Sequence, residues 1–172
     1  MNLNKIKFPL DNYEELIKEI SGLKLGEWIN FWENEREILS SVSEYYGDNY
    51  RDDWLWGVIL PILYDLYTLK KSGNKRIVIG LSALPGTGKT TLGLLLERLS
   101  LKMNIKASVV SMDDFYLPFL EMKMTIKDNP WNVSRGFPGS HSIYLIEERI
   151  LEWKNTGRFN YPVFDKSLRN GL

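Results

Sequence analysis

The sequence predicts an α/β fold, in which a doubly wound parallel sheet follows a helical N-terminal extension. Two observations support this prediction. Residues 1–75 place apolar side chains at helical spacing and contain no strand-like run. Residues 76–172 alternate between apolar, β-branched segments and amphipathic helical segments, which is the order typical of parallel sheets. We therefore predict two domains, 1–75 and 76–172.

The composition excludes several classes of protein. The 172 residues include 22 Lys and Arg against 22 Asp and Glu, so the chain lacks the positive surplus that a nucleic-acid-binding protein needs. The chain has no cysteine and one histidine, which excludes disulfides, thiolate zinc sites and histidine-based metal sites. No apolar run is long enough to cross a bilayer, and no signal peptide is apparent. We expect a cytoplasmic protein without nucleic-acid or membrane partners, and the sequence leaves its oligomeric state open.

Three helices are predicted in the extension. The first begins at a capping box formed by Asp11 and Glu14. The second covers residues 27–46, and the third covers 52–71 with a kink at Pro61. Four of the chain's six tryptophans belong to this part. An aromatic stripe at helical spacing is typical of a core more often than of a ligand site, so we assign these rings to packing against the second domain.

Three short strands are predicted in the second domain. They cover residues 76–82, 107–112 and 161–164, with helices around 92–103 and 143–153 and a long polar loop over 113–141. Ligands of doubly wound sheets bind beyond the carboxyl ends of the strands. Ser82, Asp113 and Asp165 come at these ends, which predicts a ligand site there.

A phosphate-binding loop follows the first predicted strand. Residues 83–90 read Ala-Leu-Pro-Gly-Thr-Gly-Lys-Thr and match the pattern G-x-x-x-x-G-K-[ST], except that Ala83 replaces the first glycine. Gly86 and Gly88 let successive N–H groups point at an anion, Lys89 reaches the β- and γ-phosphates, and the Thr90 hydroxyl can ligate Mg²⁺. The alternative is a glycine-rich turn that happens to contain a lysine, but a strand before it and a helix after it favour nucleotide binding.

The loop thus predicts ATP and Mg²⁺ as cofactors. We also predict a catalytic role for Lys89, because such a site acts mainly by electrostatic stabilisation of the phosphates. The predicted nucleotide-binding residues are Pro85, Gly86, Thr87, Gly88, Lys89, Thr90 and Thr91.

Two adjacent carboxylates, Asp113 and Asp114, follow the second predicted strand. One carboxylate there can take a proton from an attacking hydroxyl or hold Mg²⁺. Side chains alternate in direction along a strand, so the two groups should differ in role. We predict that Asp113 is catalytic and binds the metal with Thr90. For Asp114, a role in the site and a role as cap of a following turn stay open.

Five segments of the second domain occur in the order found in one group of kinases. They are residues 80–92, which contain the phosphate loop, Ser111-Met-Asp-Asp-Phe-Tyr-Leu117, Asn129-Pro130, Arg135-Gly-Phe-Pro-Gly-Ser-His141 and Pro162-Val-Phe-Asp-Lys-Ser167. Together they resemble the P-loop kinases of the phosphoribulokinase, uridine kinase and pantothenate kinase group, and most closely the D-glycerate 3-kinase family. The loop by itself is generic, whereas the other segments in combination are more specific. The extension resembles that of glycerate kinases more weakly.

The resemblance implies a P-loop NTPase-type kinase that transfers the γ-phosphoryl group of ATP to the primary hydroxyl of D-glycerate, giving 3-phosphoglycerate. It further implies that Arg135, His141, Asp165 and Lys166 bind the acceptor. Arg135 suits a carboxylate or phosphate in a bidentate contact, and His141 can donate to an anion. His141 as a plain helix N-terminal residue and Lys166 as a solvated charge are the alternatives.

Two departures from the family pattern qualify these expectations. Ser142 stands where the family has Asp, and this residue either caps the next helix or contacts the acceptor. The chain ends inside the motif that continues the family sequence, so we expect residues 76–172 to be the N-terminal portion of a C-terminally truncated kinase domain. Kinases for a nucleoside, a pantothenate-like acid or a sugar, and a non-catalytic nucleotide-binding fragment, are the alternative functions.

Overall fold

The computed structural model describes residues 9–47, 52–127, 130, 133 and 136–165. The α-helices are α1 (Glu14–Ser21), α2 (Leu25–Asn34), α3 (Arg36–Tyr46), α4 (Asp52–Trp54), α5 (Leu60–Lys71), α6 (Lys89–Lys102), α7 (Phe119–Ile126) and α8 (Ile143–Thr156). Two 3₁₀ turns cover Leu10–Tyr13 and Met112–Phe115, and a π-helical turn covers Leu55–Ile59. The chain divides into two compact units, Met1–Val109 and Val110–Leu172. The predicted domain boundary at residues 75 and 76 stays a prediction.

The first predicted helix forms, but with a different start. Leu10–Tyr13 already form a 3₁₀ turn, so α1 begins at Glu14 without a side-chain cap, and the predicted capping box is wrong. The helix ends at Gly22, whose left-handed φ of 71° lets its N–H donate to the Lys18 carbonyl.

The second predicted helix is two helices, α2 and α3. They are separated at Glu35, whose ψ of 49° lies outside the helical region. This break lets both helices contribute to one core, because Trp32 before it and Ile38 and Val42 after it are all buried.

The third predicted helix contains a π-helical turn before Pro61. Leu60 donates its N–H to the Leu55 carbonyl, five residues earlier. Proline has no N–H and its ring crowds the preceding turn, so the wider turn accommodates Pro61 within a continuous run of helix.

Helices α1, α2, α3, α5 and α6 enclose the core of the first unit. Its buried side chains are Leu10, Ile17, Trp28, Ile29, Trp32, Ile38, Val42, Leu55, Trp56, Ile59, Leu60, Leu63, Tyr64, Leu92, Leu95, Leu96 and Leu99. Trp28 packs edge-to-face on Trp32 and on Tyr64, with ring centroids 5.6 and 5.1 Å apart. The prediction that the tryptophan-rich stripe belongs to a core is confirmed. Helix α6, which follows the phosphate loop, is anchored in this core by four leucines.

The predicted parallel sheet is wrong. Residues 77–84, 105–111 and 158–165 have no regular secondary structure, and the described residues contain no strand, only a single antiparallel bridge between Tyr116 and His141. A buried strand needs paired backbone groups and cover on both faces. Val78, Ile79 and Val163 are instead 48%, 45% and 78% exposed, so these segments have the composition of strands without the neighbours that a strand requires.

The second unit contains one helix that the sequence does not predict and one that it does. Helix α7 lies inside the predicted loop 113–141. Helix α8 begins as predicted, because the Ser142 hydroxyl accepts the Leu145 N–H at 3.4 Å. Ser142 is therefore a helix cap, and α8 packs against the Met112–Phe115 turn. Among the described residues, no helix combines the length and the apolar character needed to cross a bilayer.

Candidate functional site

The phosphate loop has the backbone conformation that its glycines predict. Gly86 and Gly88 adopt left-handed φ values of 78° and 84°, which glycine tolerates without strain. Helix α6 begins directly after the loop, and no side chain of the described residues caps its N-terminus at Gly88. The first N–H groups of a helix have no carbonyl of their own helix to bond, so this end of α6 presents donors and a partial positive charge.

Lys89 folds back over the start of its own loop. Its ammonium donates to the Ala83 carbonyl at 2.6 Å and to the Leu84 carbonyl at 2.8 Å. The Thr87 hydroxyl donates to the same Leu84 carbonyl at 2.7 Å. The positive charge is thus held at the loop rather than extended into solvent.

The predicted nucleotide-binding residues form one continuous surface. Lys89 is half-buried, and the other members are exposed: Pro85, Gly86, Thr87, Gly88, Thr90 and Thr91.

Helix α6 also holds the segment that ends at Val109. A Cβ on Gly93 would lie 2.8 Å from Cγ1 of Val109, so the helix and this segment approach each other more closely than a side chain allows. One turn later, the Glu97 carboxylate accepts the Val109 N–H at 2.5 Å. The two contacts fix the segment beside the middle of α6.

In the second unit, Asp113 and His141 lie together although 28 positions separate them. His141 Nε2 is 3.9 Å from Oδ1 of Asp113. Asp113 lies in the Met112–Phe115 turn, where its N–H donates to the Ser111 hydroxyl at 3.2 Å. Two backbone bonds join the segments: Leu117 N–H donates to the Ser140 carbonyl at 3.0 Å, and Ser142 N–H donates to the Phe115 carbonyl at 2.8 Å.

The Tyr116 ring packs against this cluster. Its ring stacks on the His141 imidazole with centroids 4.2 Å apart and meets the Phe164 ring edge-on at 5.0 Å. A Cβ on Gly136 would lie 3.6 Å from the Tyr116 hydroxyl, and Gly136 has a left-handed φ of 78°. Tyr116 is not among the predicted site residues, although its position within Asp-Asp-Phe-Tyr is a signal for it.

Burial controls the protonation of His141. Desolvation lowers the pKa of the imidazole below its ordinary value, and the Asp113 carboxylate opposes that shift. Within the described residues Nε2 is buried without a hydrogen-bond partner, whereas Nδ1 lies 3.2 Å from the Ser140 hydroxyl. The imidazole is therefore held neutral by its surroundings and is tied at one nitrogen.

Asp114 bonds differently from Asp113. Its Oδ1 accepts the Phe164 N–H at 3.3 Å, so it fixes a segment fifty residues later instead of capping the following turn. The next residue, Asp165, is exposed at the end of that fixed segment. Arg135 and Lys166, the remaining predicted acceptor-binding residues, lie outside the described residues.

Two known proteins match the chain in sequence. It is 40% identical over 102 residues, 55% of its length, to the chloroplastic D-glycerate 3-kinase of Arabidopsis thaliana. The chain resembles glycerate 3-kinase. This glycerate 3-kinase-like sequence is also 28% identical over 119 residues, 66% of its length, to the uncharacterized kinase mug58 of Schizosaccharomyces pombe.

The chain spans 22% of the length of the plant enzyme and 43% of that of the yeast kinase. No family model matches it, and no solved structure does. The predicted resemblance to glycerate 3-kinase is confirmed, and both relatives are named kinases.

Proposed function

We propose that this glycerate 3-kinase-like chain acts in the ATP-dependent phosphorylation of the primary hydroxyl of D-glycerate, which gives 3-phosphoglycerate. The observation that carries the proposal is the 40% identity to a D-glycerate 3-kinase over 102 residues. The conformation of the phosphate loop supports nucleotide binding independently, since its glycines and the start of α6 form the arrangement that accommodates phosphates.

The residues of the loop fit ATP with Mg²⁺. Lys89 can leave the carbonyls of Ala83 and Leu84 for the β- and γ-phosphates, because these neutral acceptors hold an ammonium less strongly than phosphate oxygens do. Mg²⁺ usually takes one or two protein ligands and completes its shell with water and substrate phosphates. The Thr90 hydroxyl and the Asp113 carboxylate suit that role. Among the described residues, no cluster of three or more His, Cys, Asp and Glu side chains could hold a metal ion by itself.

Asp113 is the proposed base. As the primary hydroxyl of the acceptor attacks the γ-phosphorus, its proton passes to the Asp113 carboxylate, and ADP leaves. Ser111 holds the Asp113 backbone, and the Tyr116–His141 stack lies beside its side chain. Arg135 and Lys166 are proposed to bind the acceptor's carboxylate, since an anion needs cationic donors.

A turnover screen of the chain tests this function. Purified chain with Mg-ATP is offered D-glycerate, uridine, pantothenate or ribulose 5-phosphate, and ADP release and the phosphorylated product are measured. We expect D-glycerate alone to stimulate ADP release, with 3-phosphoglycerate as product. Lys89→Ala should abolish the signal, whereas Lys106→Ala, an exposed lysine beyond α6, should not. If another acceptor stimulates ADP release instead, that compound replaces D-glycerate as the proposed substrate. If the chain binds ATP but shows no turnover with any acceptor, the kinase proposal is wrong and the chain is a nucleotide-binding protein.

A further inference from the structure

Tyr116 contacts three segments that lie far apart in the sequence. Its ring stacks on the His141 imidazole, with the centroids 4.2 Å apart and the planes inclined by 24°. The same ring meets the Phe164 ring edge-on at 5.0 Å. Its hydroxyl lies beside Gly136, since a Cβ added to that glycine would be 3.6 Å from the hydroxyl oxygen. One side chain thus touches all three segments.

Each of the three segments carries a residue that is predicted to bind the acceptor. His141 is one of these residues. In the sequence, Arg135 directly precedes Gly136, and Asp165 directly follows the Phe164 position. Residues from separate parts of the chain can meet one small acceptor only if their segments keep a fixed spacing. Such spacing matters, because a displacement of about 1 Å can lower the rate by roughly 10²-fold.

The backbone on both sides of Tyr116 is bonded to the segment that contains His141. The Leu117 N–H donates to the Ser140 carbonyl at 3.0 Å, and the Ser142 N–H donates to the Phe115 carbonyl at 2.8 Å. These two bonds enclose Tyr116 and fix where its side chain begins. The ring therefore has a defined position from which it can orient its neighbours.

The adjacent aromatic residue, Phe115, has different contacts. Its side chain is 3% exposed and stacks on Tyr161 at 6.3 Å, so it belongs to the buried packing of the second unit. Tyr116 is half-buried and packs instead on the segments with the predicted acceptor-binding residues. Stacked and edge-to-face ring pairs have preferred geometries, so these contacts orient the rings as well as fill space.

We propose that Tyr116 is a positioning residue that holds the Gly136, His141 and Phe164 segments at fixed distances from one another, so that their acceptor-binding residues reach one acceptor together. This inference rests on the proposed function. Tyr116 acts through the residues it touches and takes no part in the proton transfer. Its loss should therefore weaken acceptor binding more than it slows the chemical step or weakens ATP binding.

Proton NMR of the imidazole tests the positioning without any substrate. His141 is the only histidine, so the signals of its ring protons are identified directly. Phe164→Leu should move the Tyr116 ring and thereby shift these signals, but it should not shift them when combined with Tyr116→Leu. Phe159→Leu removes a half-buried ring that packs on Tyr161 at 5.5 Å, and as the control it should leave the signals in place. Equal shifts with and without the Tyr116 ring, or no shift in either chain, would overturn the inference.

Steady-state kinetics tests the consequence for the acceptor. In Tyr116→Leu the KM for D-glycerate should rise roughly tenfold, the equilibrium factor that one aromatic contact can supply, while kcat and the KM for ATP change by less than about threefold. Tyr116→Phe keeps both ring contacts and should restore most of the wild-type KM. Phe159→Leu should leave all three constants unchanged.

Circular dichroism and thermal unfolding confirm that each variant is folded. If the chain turns over D-glycerate but its KM is unchanged in Tyr116→Leu, or if Tyr116→Phe is no better than Tyr116→Leu, the inference is overturned and the proposed function remains intact. If the chain turns over no acceptor, the proposed function fails, and the imidazole spectra then decide whether Tyr116 holds the three segments together.

Discussion

Asp113 and Asp114 are neighbouring residues of the same type with different contacts. The Asp113 carboxylate lies beside an imidazole in the candidate site, whereas the Asp114 carboxylate accepts a backbone N–H of Phe164. The sequence predicts that their roles differ, because the side chains diverge, but it does not identify the Asp114 partner fifty residues away. Such a pairing depends on tertiary structure, and no local pattern in the sequence encodes it.

Substitution of Asp113 and of Asp114, one at a time, should affect different properties of the chain. Asp113→Asn should lower turnover by roughly 10²-fold or more, the scale of a lost general base, with little effect on unfolding. Asp114→Ala removes the acceptor for Phe164 and should lower the free energy of unfolding by about 1 kcal/mol. Turnover assays and urea unfolding measure the two effects. The opposite ranking in both assays would show that the roles are exchanged.

The buried imidazole makes stability depend on pH. Because burial lowers the pKa of His141 in the folded chain, the unfolded chain binds the proton more readily near the ordinary value of about 6.5. The wild-type chain should therefore lose stability relative to His141→Gln as the pH falls from about 7.5 to about 5.5. Urea unfolding of both chains across this range measures the difference. A wild-type chain that gains relative stability on acidification would indicate a raised pKa instead.

At the scale of elements, local patterns predict helices better than strands. The apolar spacing in α6 and α8 and the left-handed glycines of the phosphate loop are properties of short segments, so the sequence predicts them. The 77–81 segment has strand composition, yet a strand forms only with a partner, which composition does not supply. The bridge between Tyr116 and His141 likewise joins distant segments, so no local pattern predicts the stacking of Tyr116 on His141.

Helix α6 carries a glycine whose replacement should be harmful. Alanine normally stabilises a helix by about 1 kcal/mol over glycine. At Gly93, however, the new Cβ would lie 2.8 Å from the Val109 side chain, which is short and stiff. Gly93→Ala should therefore destabilise the chain. In the double variant Gly93→Ala with Val109→Ala, the clash is removed, so the alanine should stabilise α6 as it does in other helices.

Gly26 in α2 is the matched control, since no atom of the described part of the chain lies within 4 Å of its added Cβ. Gly26→Ala should raise the free energy of unfolding by up to about 1 kcal/mol. Thermal and urea unfolding of the four chains give the comparison. Equal stabilisation by Gly26→Ala and Gly93→Ala would show that α6 and the Val109 segment are not in close contact.

At the scale of the whole molecule, apolar side chains are covered very unevenly. The helical core of the first unit encloses its leucines and tryptophans, whereas Val78, Ile79 and Leu81 are each more than 40% exposed. Residues 77–81 carry no charge and are rich in β-branched side chains. Such a segment offers unpaired backbone groups and apolar side chains to another chain, so it favours self-association.

Val78→Lys should reduce this self-association. The added charge opposes strand pairing between chains, while the exposed position keeps the effect on stability within about 0.5 kcal/mol. Light scattering over time and the average mass after size-exclusion chromatography measure association. Leu101→Lys, at a 60% exposed position near the end of α6, is the control and should have a smaller effect. Equal effects of the two substitutions would show that general solubility, not the 77–81 segment, governs association.

The aromatic core gives the first unit an internal optical reporter. Between ring centroids, Trp28 lies 5.6 Å from Trp32 and 5.1 Å from Tyr64, and Tyr64 lies 6.2 Å from Tyr67. At 5.1 Å, excitation energy absorbed by Tyr64 passes to Trp28 before it can be emitted, and the edge-to-face packing of Trp28 on Trp32 and Tyr64 couples their transitions into near-ultraviolet dichroism. Separation of α2 from α5 would restore the emission of Tyr64 and reduce the dichroism at the same time. Opening of the helical core can thus be followed without any added label.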